Sequence, residues 1–167
     1  MNRIRAVDTA ATEALGTALA GVLRDTGVVV YLQGELGAGK TTLVRAVARG
    51  LGITGAVRSP TYTLVEGYEL PQGMLYHLDL YRIAAIGELE FLGIRELEAP
   101  DNRVFIEWPE RAAGGLPAAD LELLLEAEGE GRVCSVRPRT PRGEQILANW
   151  QSQLTQKALE TVRHGSQ

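Results

Sequence analysis

The chain has 167 residues, 45% hydrophobic, 23% charged and 5% aromatic, with a formal net charge of −4. That suffices for one domain with a real core, and no apolar run reaches the roughly 18 residues a membrane span needs. The acidic balance, without a basic cluster or arginines interleaved with aromatics, argues against autonomous nucleic-acid binding and leaves room for a contribution to a larger assembly.

The N-terminal stretch "MNRIRAVDTAATEAL" carries basic residues but lacks the long apolar core of a secretory signal. Residues 9–23 place Ala14, Leu15, Ala18, Leu19, Val22 and Leu23 on one helical face, with Asp8 or Thr9 as the cap. "GVVVYLQ", 27–33, is a β-branched run of the kind found in buried strands. A glycine-rich turn follows, and a second helix begins near Lys40, carries Leu43, Val47 and Leu51 at a spacing of four, and stops at Gly50 or Gly52. "VRSPTYTLVEGYEL", 57–70, reads as a loop that becomes a strand. "PQG" turns it, and "MLYHLDLYR", 74–82, returns antiparallel. Residues 86–98 read as one or two short helices, and "RVFIEWPE", 103–110, as a strand halted by Pro109. A hairpin is expected over 121–139 around "GEG", then a helix from Pro141 carrying Ile146, Leu147, Trp150, Leu154 and Ala158, ending in a frayed polar tail. Without repeats or linkers, this is a single α/β domain with a mixed, mainly parallel central sheet flanked by helices.

Gly34-Glu35-Leu36-Gly37-Ala38-Gly39-Lys40-Thr41 satisfies G-x-x-x-x-G-K-[ST], between a predicted strand and a predicted helix. Glycines let successive backbone N–H groups turn inward as an anion nest, and the helix adds its positive end. Glu35 to Thr42 are therefore the nucleotide-binding candidates: Lys40 for the β- and γ-phosphates, the Thr41 hydroxyl for Mg²⁺. Of 17 basic residues, fifteen are arginine and only Lys40 and Lys157 are lysine. A chain that otherwise uses arginine has placed a compact ammonium where a planar guanidinium does not fit.

A Mg²⁺ site of this kind also needs a carboxylate at the end of another strand. Asp79 closes "MLYHLDL" and Glu107 closes "RVFI", and ligands of open α/β sheets gather outside the strand carboxyl ends. Either carboxylate can serve as the metal or water ligand beside Thr41, and Lys40, Asp79 and Glu107 form the candidate catalytic set. Taken alone, Trp108 and His77 read as core packing, and Thr61 in "SPTYTL" as a turn residue or a hydroxyl sensing the γ-phosphate. The single Cys134 excludes an internal disulfide and fits a reducing cytoplasm. Only His77 and His164 exist, so zinc is not expected.

"GELGAGKTT", "SPTYTLVEGY", "HLDLYR", "ELEFLGI" and "IEWPE", in this order and spacing, resemble the signatures of the TsaE (YjeE) family over roughly residues 8–140. The first motif is shared by many ATPases; the five together are specific. The resemblance implies an ATPase that binds ATP and Mg²⁺, hydrolyses ATP slowly and supports threonylcarbamoyladenosine formation at position 37 of tRNA, together with TsaD and TsaB and without itself carrying the transferred group. It implies contact with tRNA only through that complex. It places Lys40 and Thr41 on the Walker A positions with Thr42 beside them, Asp79 on the aspartate of H-x-D-L-Y-R, Glu107 on the Mg²⁺-ligating glutamate, Trp108 near the nucleotide and Ser59 to Thr63 on a switch-like loop. Residues 1–140 are then the P-loop ATPase domain, and 141–167 its C-terminal helix and tail, which matches nothing in the family. "IAAIGELE" after Arg82 departs from the family in lacking an acidic-proline start. A small-molecule or nucleoside kinase of the P-loop class is the alternative. A GTPase would carry N-K-x-D, which is absent.

Overall fold

The computed structural model describes residues 2–164, with side chains up to Gln156. Seven strands, β1 (Asn2–Ala6), β2 (Val28–Gln33), β3 (Val65–Glu69), β4 (Met74–Asp79), β5 (Arg103–Glu107), β6 (Leu121–Glu128) and β7 (Gly131–Pro138), form one sheet in the order β1-β7-β6-β2-β5-β4-β3. The four central strands β6, β2, β5 and β4 run parallel, and β7 and β3 run against them. Because β1 opposes β7, it shares the direction of the central strands, so the sheet is mixed and mainly parallel. Parallel strands buried on both faces call for continuous apolar runs, which is what "VVVYLQ" and "RVFIE" supply.

Three helices, α1 (Thr9–Val22), α2 (Lys40–Gly50) and α3 (Pro141–His164), cover one face. Asp8 caps α1 by accepting from the Ala11 N–H at 2.8 Å. α1 and α2 pack so closely that a Cβ on Gly16 would stand 2.7 Å from the Ala46 Cβ. The side chain of Trp150 on α3 is fully buried and donates its Nε1–H to the Leu15 carbonyl at 3.1 Å, tying the tail helix into the same core. Segments 86–98 and 109–112 form three short 3₁₀ helices on the opposite face, over Val29, Leu78, Val104 and Ile106. The frayed end expected for the tail falls on residues whose side chains lie outside the described set, His164 among them.

The pleat alternates the strand residues between these layers. Leu75 and Phe105 face the helices, Leu78 and Ile106 the 3₁₀ layer. His77, Asp79 and Glu107 share the parity of Leu75 and Phe105, and so point toward α2. Two elements differ from expectation. The basic N-terminal stretch, for which the sequence pattern predicts no element, forms the short edge strand β1 paired with β7. β4 ends at Asp79 rather than Arg82, because the Asp79 Oδ1 accepts the Tyr81 N–H at 3.0 Å and turns the chain.

Candidate functional site

The glycine-rich turn leaves the C-terminal end of β2, the central parallel strand, and enters α2. Gly34, Gly37 and Gly39 all have positive φ, at 141°, 78° and 103°. Gly34 has a second reason to lack a side chain, since a Cβ there would sit 2.4 Å from the Leu125 carbonyl oxygen on β6. Gly39 caps α2 in the left-handed conformation with no side-chain cap bond. The first amides of α2 thus stay available to an anion.

Leu36, Gly37, Ala38, Gly39, Lys40, Thr41 and Thr42 line one cleft of about 220 Å³ with Thr61, Asp79, Glu107 and Trp108. Glu35 stands at its rim: its side chain is exposed and its carbonyl accepts from the Lys40 ammonium at 3.1 Å. Nζ of Lys40 also donates to the Gly34 carbonyl and lies 4.2 Å from the centre of the Trp108 ring. The lysine is buried, 4% exposed, among carbonyls and an aromatic face rather than against a carboxylate. Burial lowers its pKa from the usual lysine value, opposed by the more distant charges of Glu107, Asp79, Glu110 and Glu35. A phosphate arriving in the nest would restore the charge balance that burial disturbs.

Asp79 and Glu107 are direct partners across the parallel β4–β5 pair, so the register alone sets them side by side at the strand ends. The Thr41 hydroxyl donates to Glu107, 3.1 Å from Oε2 and 3.4 Å from Oε1. The Thr61 hydroxyl reaches Asp79 Oδ2 at 3.5 Å and bonds the Ser59 hydroxyl at 2.8 Å. Two carboxylates and two hydroxyls therefore converge beside the lysine, the hard oxygen donor set that suits Mg²⁺.

Trp108 has φ 57°, a left-handed conformation uncommon for an aromatic residue. That conformation ends β5, starts the 3₁₀ turn at Pro109, and swings the indole over Lys40 and against Tyr81, ring centres 5.0 Å apart. Leu64 (φ 65°) is the other non-glycine residue with positive φ among those described, and it ends the "SPTYT" loop, with its carbonyl accepting the Asp79 N–H at 3.0 Å. Both strained positions flank the cleft.

The structure adds two residues that sequence reasoning did not place here. Arg132 on β7 reaches across to the loop, donating to the Ala38 carbonyl at 2.9 Å and the Gly37 carbonyl at 3.0 Å. By drawing those carbonyls outward it favours the inward amides of the nest. His77, read as core packing, is indeed buried, yet its Nε2 lies 2.5 Å from Glu107 Oε2. No local pattern announces either contact; the alternation in "LYHLD" does put His77 on the Asp79 face.

A G-x-x-x-x-G-K-T turn joining a central parallel strand to the helix behind it, with carboxylates at the ends of the neighbouring strands, defines the P-loop class of α/β domains. Within that class the comparisons single out one family. A model of the family "Threonylcarbamoyl adenosine biosynthesis protein TsaE" matches residues 6–134, and the chain belongs to the TsaE family. It is 46% identical to the tRNA threonylcarbamoyladenosine biosynthesis protein TsaE of Haemophilus influenzae over 121 residues, 72% of this chain and 77% of that one. It is 38% identical to the protein of the same name from Bacillus subtilis over 104 residues, 62% of this chain and 65% of that one. The crystal structure of B. subtilis YdiB superposes with a TM-score of 0.73 at 27% identity, covering 90% of this chain and 94% of that one. The family match ends within β7, so α3 lies beyond it.

Proposed function

We propose that this cleft binds ATP with Mg²⁺ and hydrolyses it slowly, in support of threonylcarbamoyladenosine formation at position 37 of tRNA. The observation that carries the reading is the convergence of Lys40, Thr41, Asp79, Glu107, Thr61 and Trp108 on one cleft, from four separate stretches of chain. Membership of the TsaE family supports the tRNA-modification role.

In this reading the amides of residues 37–42 and the Lys40 ammonium hold the phosphates. Thr41 and Glu107 would hold the cation, which would supply charge neutralisation to the phosphate oxygens. Asp79, contacted by the Thr61 hydroxyl, would orient the attacking water, and Trp108 covers Lys40. Lys40 already bonds loop carbonyls, so it is preorganised rather than recruited.

TsaD and TsaB are the proposed partners, with tRNA met only through them. Tyr62 supports this: it projects from the loop that carries Thr61, 83% exposed, with the Arg82 guanidinium 4.9 Å from its ring centre. An aromatic residue on the loop that touches Asp79 gives a partner a direct reading of the site. A cytoplasmic location follows from that role, and among the described residues no helix is long and apolar enough to cross a membrane.

The test is ATP turnover and nucleotide affinity for the wild type and Lys40→Ala, each alone and with the TsaD–TsaB pair. The variant is expected to fold and to lose turnover by on the order of 10²–10³-fold. Wild-type turnover in Lys40→Ala, or phosphate transfer to a nucleoside in place of water, would overturn the reading.

A further inference from the structure

We propose that His77 is a positioning residue for the cation: its Nε2–H fixes the Glu107 carboxylate in the orientation that a divalent metal and Thr41 need. The inference rests on the magnesium–nucleotide reading of the cleft.

The geometry is specific. His77 and Glu107 side chains are 1% and 4% exposed, and Nε2 stands 2.5 Å from Oε2. The carboxylate accepts, so Nε2 carries the proton. Nδ1 is buried without a protein partner among the described residues, so a proton there would be left without an acceptor. These two contacts place the Nε2–H on the Glu107 side of the ring.

Packing alone does not account for an imidazole at this position. Its neighbours on the same face, Leu75 and Phe105, are fully buried and apolar, and a hydrocarbon would fill the layer without burying a polar nitrogen. What an apolar side chain lacks is the donor. Thr41 sits at nearly equal distances from both Glu107 oxygens and so does not select between two rotations of the carboxylate. The bond from His77 does, by engaging Oε2 from β4 and leaving Oε1 as the oxygen without a histidine contact. Ligating carboxylates are commonly oriented in this way by a hydrogen-bonded neighbour behind them.

The experiment compares two unbranched replacements of similar length: His77→Gln, which keeps an N–H donor, and His77→Met, which does not. Mn²⁺ is the probe, its free concentration followed by electron paramagnetic resonance as it is titrated onto the protein with a non-hydrolysable ATP analogue. Analogue affinity in EDTA is measured alongside by calorimetry. His77→Met is expected to weaken Mn²⁺ retention by about 10–100-fold, with metal-free analogue affinity unchanged, and His77→Gln to recover most of the loss. The proposal is overturned if Met and Gln variants retain Mn²⁺ equally, or if the metal-free affinity falls by the same factor as the Mn²⁺ affinity, which marks a packing role. If the wild type itself retains no Mn²⁺ with the analogue, the magnesium reading of the cleft falls, and this one with it.

Discussion

Glu107 and Asp120 are both buried carboxylates at strand ends, 3% and 5% exposed, and they sit at opposite ends of the parallel strands. Asp120 precedes β6 and is closed on every side. It accepts from the Val29 N–H at 2.8 Å, the Thr140 hydroxyl at 2.7 Å and the Arg142 guanidinium at 2.8 Å. Burial alone would raise its pKa; the bonds from Arg142, Thr140 and Val29 and the Arg142 charge outweigh burial and hold it below the usual carboxylate value. Glu107 has only a threonine hydroxyl and a histidine ring, with no guanidinium among its described partners, and it opens on the cleft beside Lys40. A buried charge whose partners are complete holds structure together. One with fewer partners that faces a cleft stays accessible to a ligand.

The sharpest way to break this comparison is to remove each charge while keeping its shape. Glu107→Gln is expected to lower Mg²⁺-dependent ATP turnover by about 10²-fold or more, with the melting temperature unchanged or raised, because an under-partnered buried charge disappears. Asp120→Asn is expected to do the reverse. Nucleotide affinity holds, while stability falls by about 1–3 kcal/mol, since the Arg142 pair and one of the accepted bonds are weakened. Calorimetric melting together with a turnover assay on both variants checks the pair, and a Glu107→Gln protein that melts early with normal turnover would invert the argument.

The pH dependence sharpens it further. The folded pKa of Asp120 lies below its unfolded value near 3.9. Its contribution to stability is therefore complete above about pH 4–5 and is lost as pH falls through the depressed folded value. Denaturant unfolding followed from pH 7 downward should show stability dropping below pH 4 in the wild type and less steeply in Asp120→Asn. Parallel curves would assign the acid sensitivity elsewhere.

A smaller effect is expected at the switch-like loop. Thr61→Ala removes the 3.5 Å contact to Asp79 and the 2.8 Å bond to Ser59, one neutral hydroxyl worth on the order of 1 kcal/mol. The loop can shift an assembly only by the difference in partner affinity between nucleotide states. The variant should therefore narrow the gap between ATP-state and ADP-state binding to TsaD–TsaB by a few-fold, with nucleotide affinity nearly unchanged, as calorimetry on purified components would show. Smallest of all is the response at Cys134, whose thiol burial pushes up to about 12. A thiol reagent at pH 8 should leave the folded protein unmodified and react only on unfolding; rapid labelling would mean that β7 opens in the native state.

Much of the site was legible in the chain itself. The loop motif, the strand before it and the helix after it are local, and each is written by residues within a few positions of one another: glycines for positive φ, β-branched residues for a buried strand, apolar residues every four positions for α2. Asp79 and Glu107 were readable because each ends an apolar run, and strand-end carboxylates of a parallel sheet collect at one edge. β1 was not readable as a strand, because "NRIRA" is short, polar and mostly exposed, and only pairing with β7 gives it a partner ladder.

By itself, then, the sequence determined which residues could form a phosphate nest and which carboxylates could stand near it, since backbone freedom, periodicity and strand ends are properties of neighbours. The tertiary structure alone decided which of them touch. Arg132 meets the loop from a strand more than 90 residues away, His77 meets Glu107 only because β4 lies beside β5 in one register, and Trp108 covers Lys40 only because the chain after β5 turns left-handed. Side-chain contact across strands depends on register and pleat, and those are settled when the whole sheet closes its hydrogen bonds and buries both faces at once.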